Sequence, residues 1–212
     1  MDIVTSVTRQ GRRYLITFND ERTLRVPYSL FQERPLVLGD AVELPEYEDW
    51  LLLREYRHAL ERAVAFLAIR ARSQKEITQK LLAAGYLPAT AEMVVYKLQT
   101  LKLLSDDDFA AQWAASRSSK LLGRGRIAME LRQKGIGKEE IEAAIEPLDD
   151  DRERETARQL AVKLSSRYVG DPKGSGLRKL CQALQRRGFS YGVAIAAAKA
   201  ALVADGTEDE EE

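Results

Sequence analysis

One short phrase occurs three times in this chain. It is clearest in RSQKEITQKLLAAGY (Arg72 to Tyr86), looser in RGRIAMELRQKGI (Arg124 to Ile136) and in SGLRKLCQALQRRGF (Ser175 to Phe189). The glycines Gly85, Gly135 and Gly188 recur at intervals of 50 and 53 residues. Leu81, Leu131 and Leu184 stand four residues before them, and Ile77, Ile127 and Leu180 eight before. Tyr86, Ile136 and Phe189 follow immediately. This spacing predicts a helix that ends in a left-handed glycine, with the next apolar residue folded back onto the leucine of the last turn. Glycine suits that position because it has no Cβ to oppose positive φ.

The residues after each glycine predict another helix. Pro88 suits a first helical position, and Gly137 and Ser190 suit N-caps. Ser73 with Glu76 has the spacing of a capping box. Val95, Ile145 and Ala198 lie ten residues past the glycines, and Leu98, Leu148 and Ala201 thirteen past. The unit is therefore three helices in about fifty residues, written three times, and such units stack.

The N-terminus differs. Tyr14, Ile16 and Phe18 alternate as in a half-buried strand, Leu24 and Val26 suggest its partner, and Pro27 stops it. Val42 to Leu44 reads as a further short strand. From about residue 49 to 71, Leu53, Tyr56, Leu60, Ala63, Val64, Leu67 and Ile69 form a stripe at helical spacing. The expected fold is mainly α: three tandem three-helix repeats in an elongated curved body, behind a small β-rich element. The expected segments are 1–48 (β-rich), 49–104, 105–148 and 149–204 (the repeats), and 205–212 (an acidic disordered tail).

Of 212 residues, 45% are hydrophobic and 31% charged, with no net charge, so any electrostatic role must be local. A single cysteine, Cys181, forbids an internal disulfide. No apolar run has the length of a signal core or a membrane span. The chain reads as a soluble, cytoplasmic monomer that touches no membrane.

Catalytic and metal chemistry find little support. Asp106, Asp107 and Asp108 are adjacent, so on a helix they point apart. They read as dipole-complementing residues after an N-cap at Ser105, ahead of core Phe109 and Trp113. Asp149 to Glu155 repeats the arrangement. LLGRGR and VGDPKGSG lack phosphate-loop spacing and read as inter-helix loops. His58, between Arg54 and Arg62, reads as solvated, and Cys181 as a buried inert thiol. The expectation is a non-enzyme without metal or cofactor.

The basic residues are the candidate site. Arg117, Lys120, Arg124, Arg126, Arg132 and Lys134 cluster in the second repeat; Lys173, Arg178, Lys179, Arg186 and Arg187 cluster in the third. They read as a solvated helix surface or as a basic face for nucleic acid or an acidic protein.

RARSQKEI, KLLAAGY, LLSDDDFAAQWAASR, GRGRIAMELRQKGI and LCQALQRRGFSY, in order between about Arg62 and Ala201, resemble the RecX family of bacterial recombination regulators. The resemblance implies a partner, the RecA recombinase filament on DNA. A protein seated in its helical groove would modulate, usually inhibit, ATPase and strand exchange, and with them DNA repair and the SOS response. Direct contact with single- or double-stranded DNA is also implied. The acidic tail falls outside the family pattern and is expected to fold over the basic face and weaken DNA contact. A stand-alone DNA-binding helical repeat and a non-catalytic adaptor are the alternative readings.

Overall fold

The structure, a computed structural model, describes residues 1–168 and 175–207. Lys173 and tail residues 208–212 lie outside the described residues. The chain divides into two compact units, Met1–Ser105 and Asp106–Glu212.

The first unit opens with strands β1 (Asp2–Gln10), β2 (Arg13–Phe18) and β3 (Thr23–Pro27), then helix α1 (Tyr28–Glu33) and strand β4 (Ala41–Val42). They form one antiparallel sheet in the order β3-β2-β1-β4. The two strands suggested by the sequence pair with each other, Tyr14 opposite Val26 and Ile16 opposite Leu24, a register the alternation alone leaves open. Val4, Ile16, Phe18 and Val26 form a core with Leu44, Tyr47 and Leu51. The last three belong to α2 (Leu44–Ile69), which begins before the expected start near 49. Leu44 is thus helical rather than extended, because Pro45 fits the first turn, where no N–H is needed.

The stripe expected on α2 needs correction. Leu53 and Ile69 are 70% and 77% exposed, and Val64 is exposed as well. The buried positions are Leu44, Tyr47, Leu51, Glu55, Ala59 and Ala63. Ala63 of the expected stripe is buried, and Tyr56, Leu60 and Leu67 pack against the same core. The stripe also runs through Glu55, which hydropathy misses because it is a carboxylate. Glu55 is fully buried and accepts hydrogen bonds from three directions. Arg13 Nη2 in β2 donates at 2.9 Å, the Leu87 backbone N–H at 2.9 Å and the Thr90 hydroxyl at 3.3 Å. One side chain therefore joins the sheet, α2 and the entry to α4 (Pro88–Thr100).

Helix α3 (Gln74–Ala83) starts with the predicted capping box, Ser73 and Glu76 each bonding the other's backbone N–H. It ends at Gly85, φ +96°. Tyr86 N–H bonds the Leu81 carbonyl and Gly85 N–H the Leu82 carbonyl. These two bonds close the turn while Tyr86 packs on the core that holds Leu81.

The second unit repeats this construction twice. Helices α5 (Asp106–Ser118), α6 (Arg124–Gln133) and α7 (Lys138–Ile145) precede α8 (Asp150–Ser165), α9 (Gly176–Arg186) and α10 (Tyr191–Thr207). Gly135 and Gly188 have φ +83° and +94°. Ile136 N–H bonds Leu131 O, and Phe189 N–H bonds Leu184 O. Each trio has its own core, one around Ile127, Leu131 and Ile136, the other around Leu180, Leu184 and Phe189. Helix α10 continues to Thr207, into the segment expected as tail.

The LLGRGR stretch also differs from expectation. Gly123 is the N-cap of α6, and Arg124 to Arg126 form its first turn. Two N–H groups that a helix start leaves unbonded find acceptors in the third repeat's turn. Gly123 N–H donates to Arg187 O at 2.9 Å and Gly125 N–H to Gly188 O at 3.1 Å. A Cβ on Gly123 would lie 2.6 Å from Gly188 C, and one on Gly125 2.9 Å from Gly188 O. Both residues are glycine because backbone meets backbone here.

Two stability outcomes follow. Glu55→Ala leaves the Arg13 guanidinium without its buried partner and should lower the unfolding free energy by about 3 kcal/mol. A loss below ~1 kcal/mol in chemical denaturation would contradict the role given to that carboxylate. Gly85→Ala should cost about 1–2 kcal/mol for backbone strain alone, since a Cβ there meets nothing closer than 3.8 Å. Gly188→Ala adds overlap with the Arg126 backbone, so its melting temperature should fall further; equal losses would refute the close joint.

Candidate nucleic-acid interface

The sequence-predicted cations fall into three groups. The first is committed to partners inside the second unit. Arg117 Nε donates to Glu130 Oε2 at 2.7 Å, and its guanidinium lies 4.1 Å from the Trp113 ring centre. The Lys134 ammonium, at the end of α6, also lies 4.1 Å from that ring centre, so the Trp113 ring holds two cations. Trp113 Nε1–H donates to the same Glu130 oxygen at 3.1 Å. Trp113, expected in the core, is half-buried at its edge, held by these polar contacts. Arg124 is committed too. Its backbone N–H and Nε donate to Glu153 at 3.2 and 2.9 Å, and Nη2 also reaches Asp150. The Glu153 bonds, then the Asp150 bond, raise the affinity of Arg124 for its proton.

The second group is exposed and scattered. Among the described residues, Lys120, Arg132 and Arg178 have no acidic partner, and Lys179 is exposed on α9. The third group is drawn together. Arg126, Arg186 and Arg187 line one open concavity of about 450 Å³ with Arg167, just past the end of α8. Arg126 shares Glu130 Oε1 at 3.3 Å. Among the described residues, Arg167, Arg186 and Arg187 have no carboxylate partner. Leu122, Leu164, Ala183 and Tyr168 complete the lining.

Arg167 and Tyr168 are absent from the sequence-predicted set. They lie outside the repeated phrase, in SSRYVG, and only the fold brings them beside α9. The available signal is an arginine–tyrosine pair that precedes a glycine-rich stretch of the sequence.

Elsewhere the chemistry is quiet. Cys181 is buried, and burial raises its thiol pKa, which disfavours the reactive thiolate. His58 Nε2 lies 3.6 Å from Glu33, at the surface. Among the described residues no group of His, Cys, Asp and Glu is arranged to hold a metal ion. No described helix is long and apolar enough to cross a membrane.

Comparison with known proteins gives consistent matches. The model for the first three-helix domain of RecX matches residues 59–98, and that for the second matches 105–145. The regulatory protein RecX of Amycolatopsis mediterranei is 33% identical over 167 residues, covering 78% of this chain and 92% of the relative. That of Mycobacterium sp. (strain KMS) is 35% identical, covering 66% and 79%. A crystal structure of a regulatory protein RecX aligns with TM-score 0.66 at 26% identity, over 91% of this chain and 97% of that one. RecX from Lactobacillus salivarius aligns with TM-score 0.64 at 25% identity, over 70% and 97%.

The Glu130 cluster gives a pH prediction. Burial raises the Glu130 carboxyl pKa, but the Arg117, Trp113 and Arg126 contacts together outweigh it and hold the pKa below the ordinary value. A depressed native pKa stabilises the fold above the unfolded-state value, about 4.3, and that contribution is lost as pH falls through the native value. In a Trp50→Phe background, Trp113 emission should therefore change below about pH 4.3. Glu130→Gln should remove the transition; an unchanged acid transition would contradict this assignment.

Proposed function

Because this chain belongs to the RecX family, we propose that it regulates the RecA recombinase, as an inhibitor seated in the groove of the RecA–DNA filament. In this reading it lowers filament ATPase and strand exchange, and through them DNA repair and SOS output, without catalysis of its own. The observation that carries the reading is the gathering of Arg167, Arg186 and Arg187, without carboxylate partners among the described residues, around one concavity. Like charges held together repel, so such a cluster is relieved by an anionic ligand. A phosphate backbone supplies that charge, and arginine binds phosphate through a planar fork of donors. Arg117, Arg124 and Lys134 contribute less directly, because Glu130, Glu153 and the Trp113 ring already hold them.

The test is RecA ATPase on single-stranded DNA with increasing amounts of this protein. Suppression should occur at amounts well below the recombinase. Charge reversal at Arg167, Arg186 and Arg187 should weaken suppression at least tenfold, equivalent to about 1.4 kcal/mol. ATPase unaffected by the protein at equimolar amounts would overturn the reading.

A further inference from the structure

The arginine concavity has a feature that phosphate binding alone does not explain. A site for bare phosphate needs donors and charge, and the guanidiniums supply both. Here the same concavity also has an apolar lining, with Leu122 and Leu164 beside the half-buried Tyr168. Leu164 and Tyr168 pack against the third repeat's core, and Leu122 against the second's. Apolar surface next to unpaired cations suits a ligand with an anionic end and a flat apolar body.

We infer that this concavity is a nucleotide subsite: arginines hold the phosphate, and an unstacked base lies against Tyr168 and the leucines. The inference rests on the nucleic-acid part of the proposed function and deepens it. Its size fits, since about 450 Å³ lies within the range of small-ligand clefts, roughly 300–1,000 Å³. Its charge fits as well. Four arginines face one glutamate, and both Glu130 oxygens already accept bonds from Trp113, Arg117 and Arg126. Among the described residues, the remaining positive charge has no carboxylate counterion.

The lining discriminates between forms of nucleic acid. A duplex keeps its base faces stacked inside and offers the site only phosphates. A single strand offers both halves, and base stacking on an aromatic side chain is tolerant of sequence. A free nucleotide offers them too, so two sources share the chemistry.

The experiment is equilibrium binding of the full chain, without recombinase, by fluorescence anisotropy. The probes are a labelled eight-residue oligothymidylate and a duplex of equal length. AMP, ATP and pyrophosphate serve as competitors. The single strand should bind more tightly than the duplex, and Tyr168→Leu should weaken it at least fivefold while leaving duplex affinity within twofold. Replacing Arg186 and Arg187 with Gln should weaken both and reduce the single-strand salt slope by about 1.4. ATP competing better than pyrophosphate supports base contact, and relative affinity for ATP and the oligomer identifies the source.

Tyr168 packs on the core, so Tyr168→Phe, which keeps the ring, serves as the folding control and should retain binding. Equal binding of duplex and single strand, or Tyr168→Leu with full affinity, would overturn the subsite, as would pyrophosphate competing as well as ATP. The two readings fail separately. If Tyr168→Leu loses nucleotide but still suppresses recombinase ATPase, the subsite stands as a separate function. If the wild-type protein binds nucleotide without affecting ATPase, the regulatory reading falls and the subsite remains.

Discussion

The structure depends on a left-handed turn repeated at Gly85, Gly135 and Gly188. Each turn returns two helix-end carbonyls to hydrogen bonding and presses an apolar residue onto the leucine of the preceding turn. The direction of the next helix is thereby fixed by local chemistry. At Gly188 the same turn has a second task. The carbonyls of Arg187 and Gly188 point outward and bond the N-terminal N–H groups of α6. A helix end of the third repeat thus completes a helix start of the second, and the two repeats share one backbone joint. That joint sets Arg126, on α6, beside Arg186 and Arg187, at the end of α9.

Carboxylates divide the cations of this chain into committed and uncommitted. Glu55, Glu130 and Glu153 each accept more than one bond, and each holds an arginine. Buried glutamates such as Glu55 and Glu153 are costly unless paired, so removing either partner leaves a stranded charge. The arginines they hold serve the fold first. Of the arginines beyond their reach, Arg167, Arg186 and Arg187 collect where α8 and α9 end, and the fold provides these three with no acid among the described residues.

The sequence makes much of the fold readable, because its controlling features are local. A glycine, a leucine four back and an apolar residue one on are sufficient to predict each turn, and alternation at Tyr14, Ile16 and Phe18 predicts strand β2. The unreadable parts depend on partners distant in the chain. Glu55 looks like a surface residue until Arg13, Leu87 and Thr90 are brought to it. Gly123 looks like a loop residue until Arg187 arrives. Composition groups Arg117 and Arg124 with Arg186 and Arg187, although the fold treats them differently. Arg167 and Tyr168 escape notice because they lie past a helix end, outside any repeated phrase.

The central claim is therefore about which cations are free to meet an anion. Arginine side-chain Nε–H resonances, followed by NMR as a single-stranded oligonucleotide is added, test it most directly. The account predicts shifts concentrated on Arg167, Arg186 and Arg187, with Arg117 and Arg124 nearly still. Shifts spread evenly over all the arginines, or largest at Arg117 and Arg124, would contradict it.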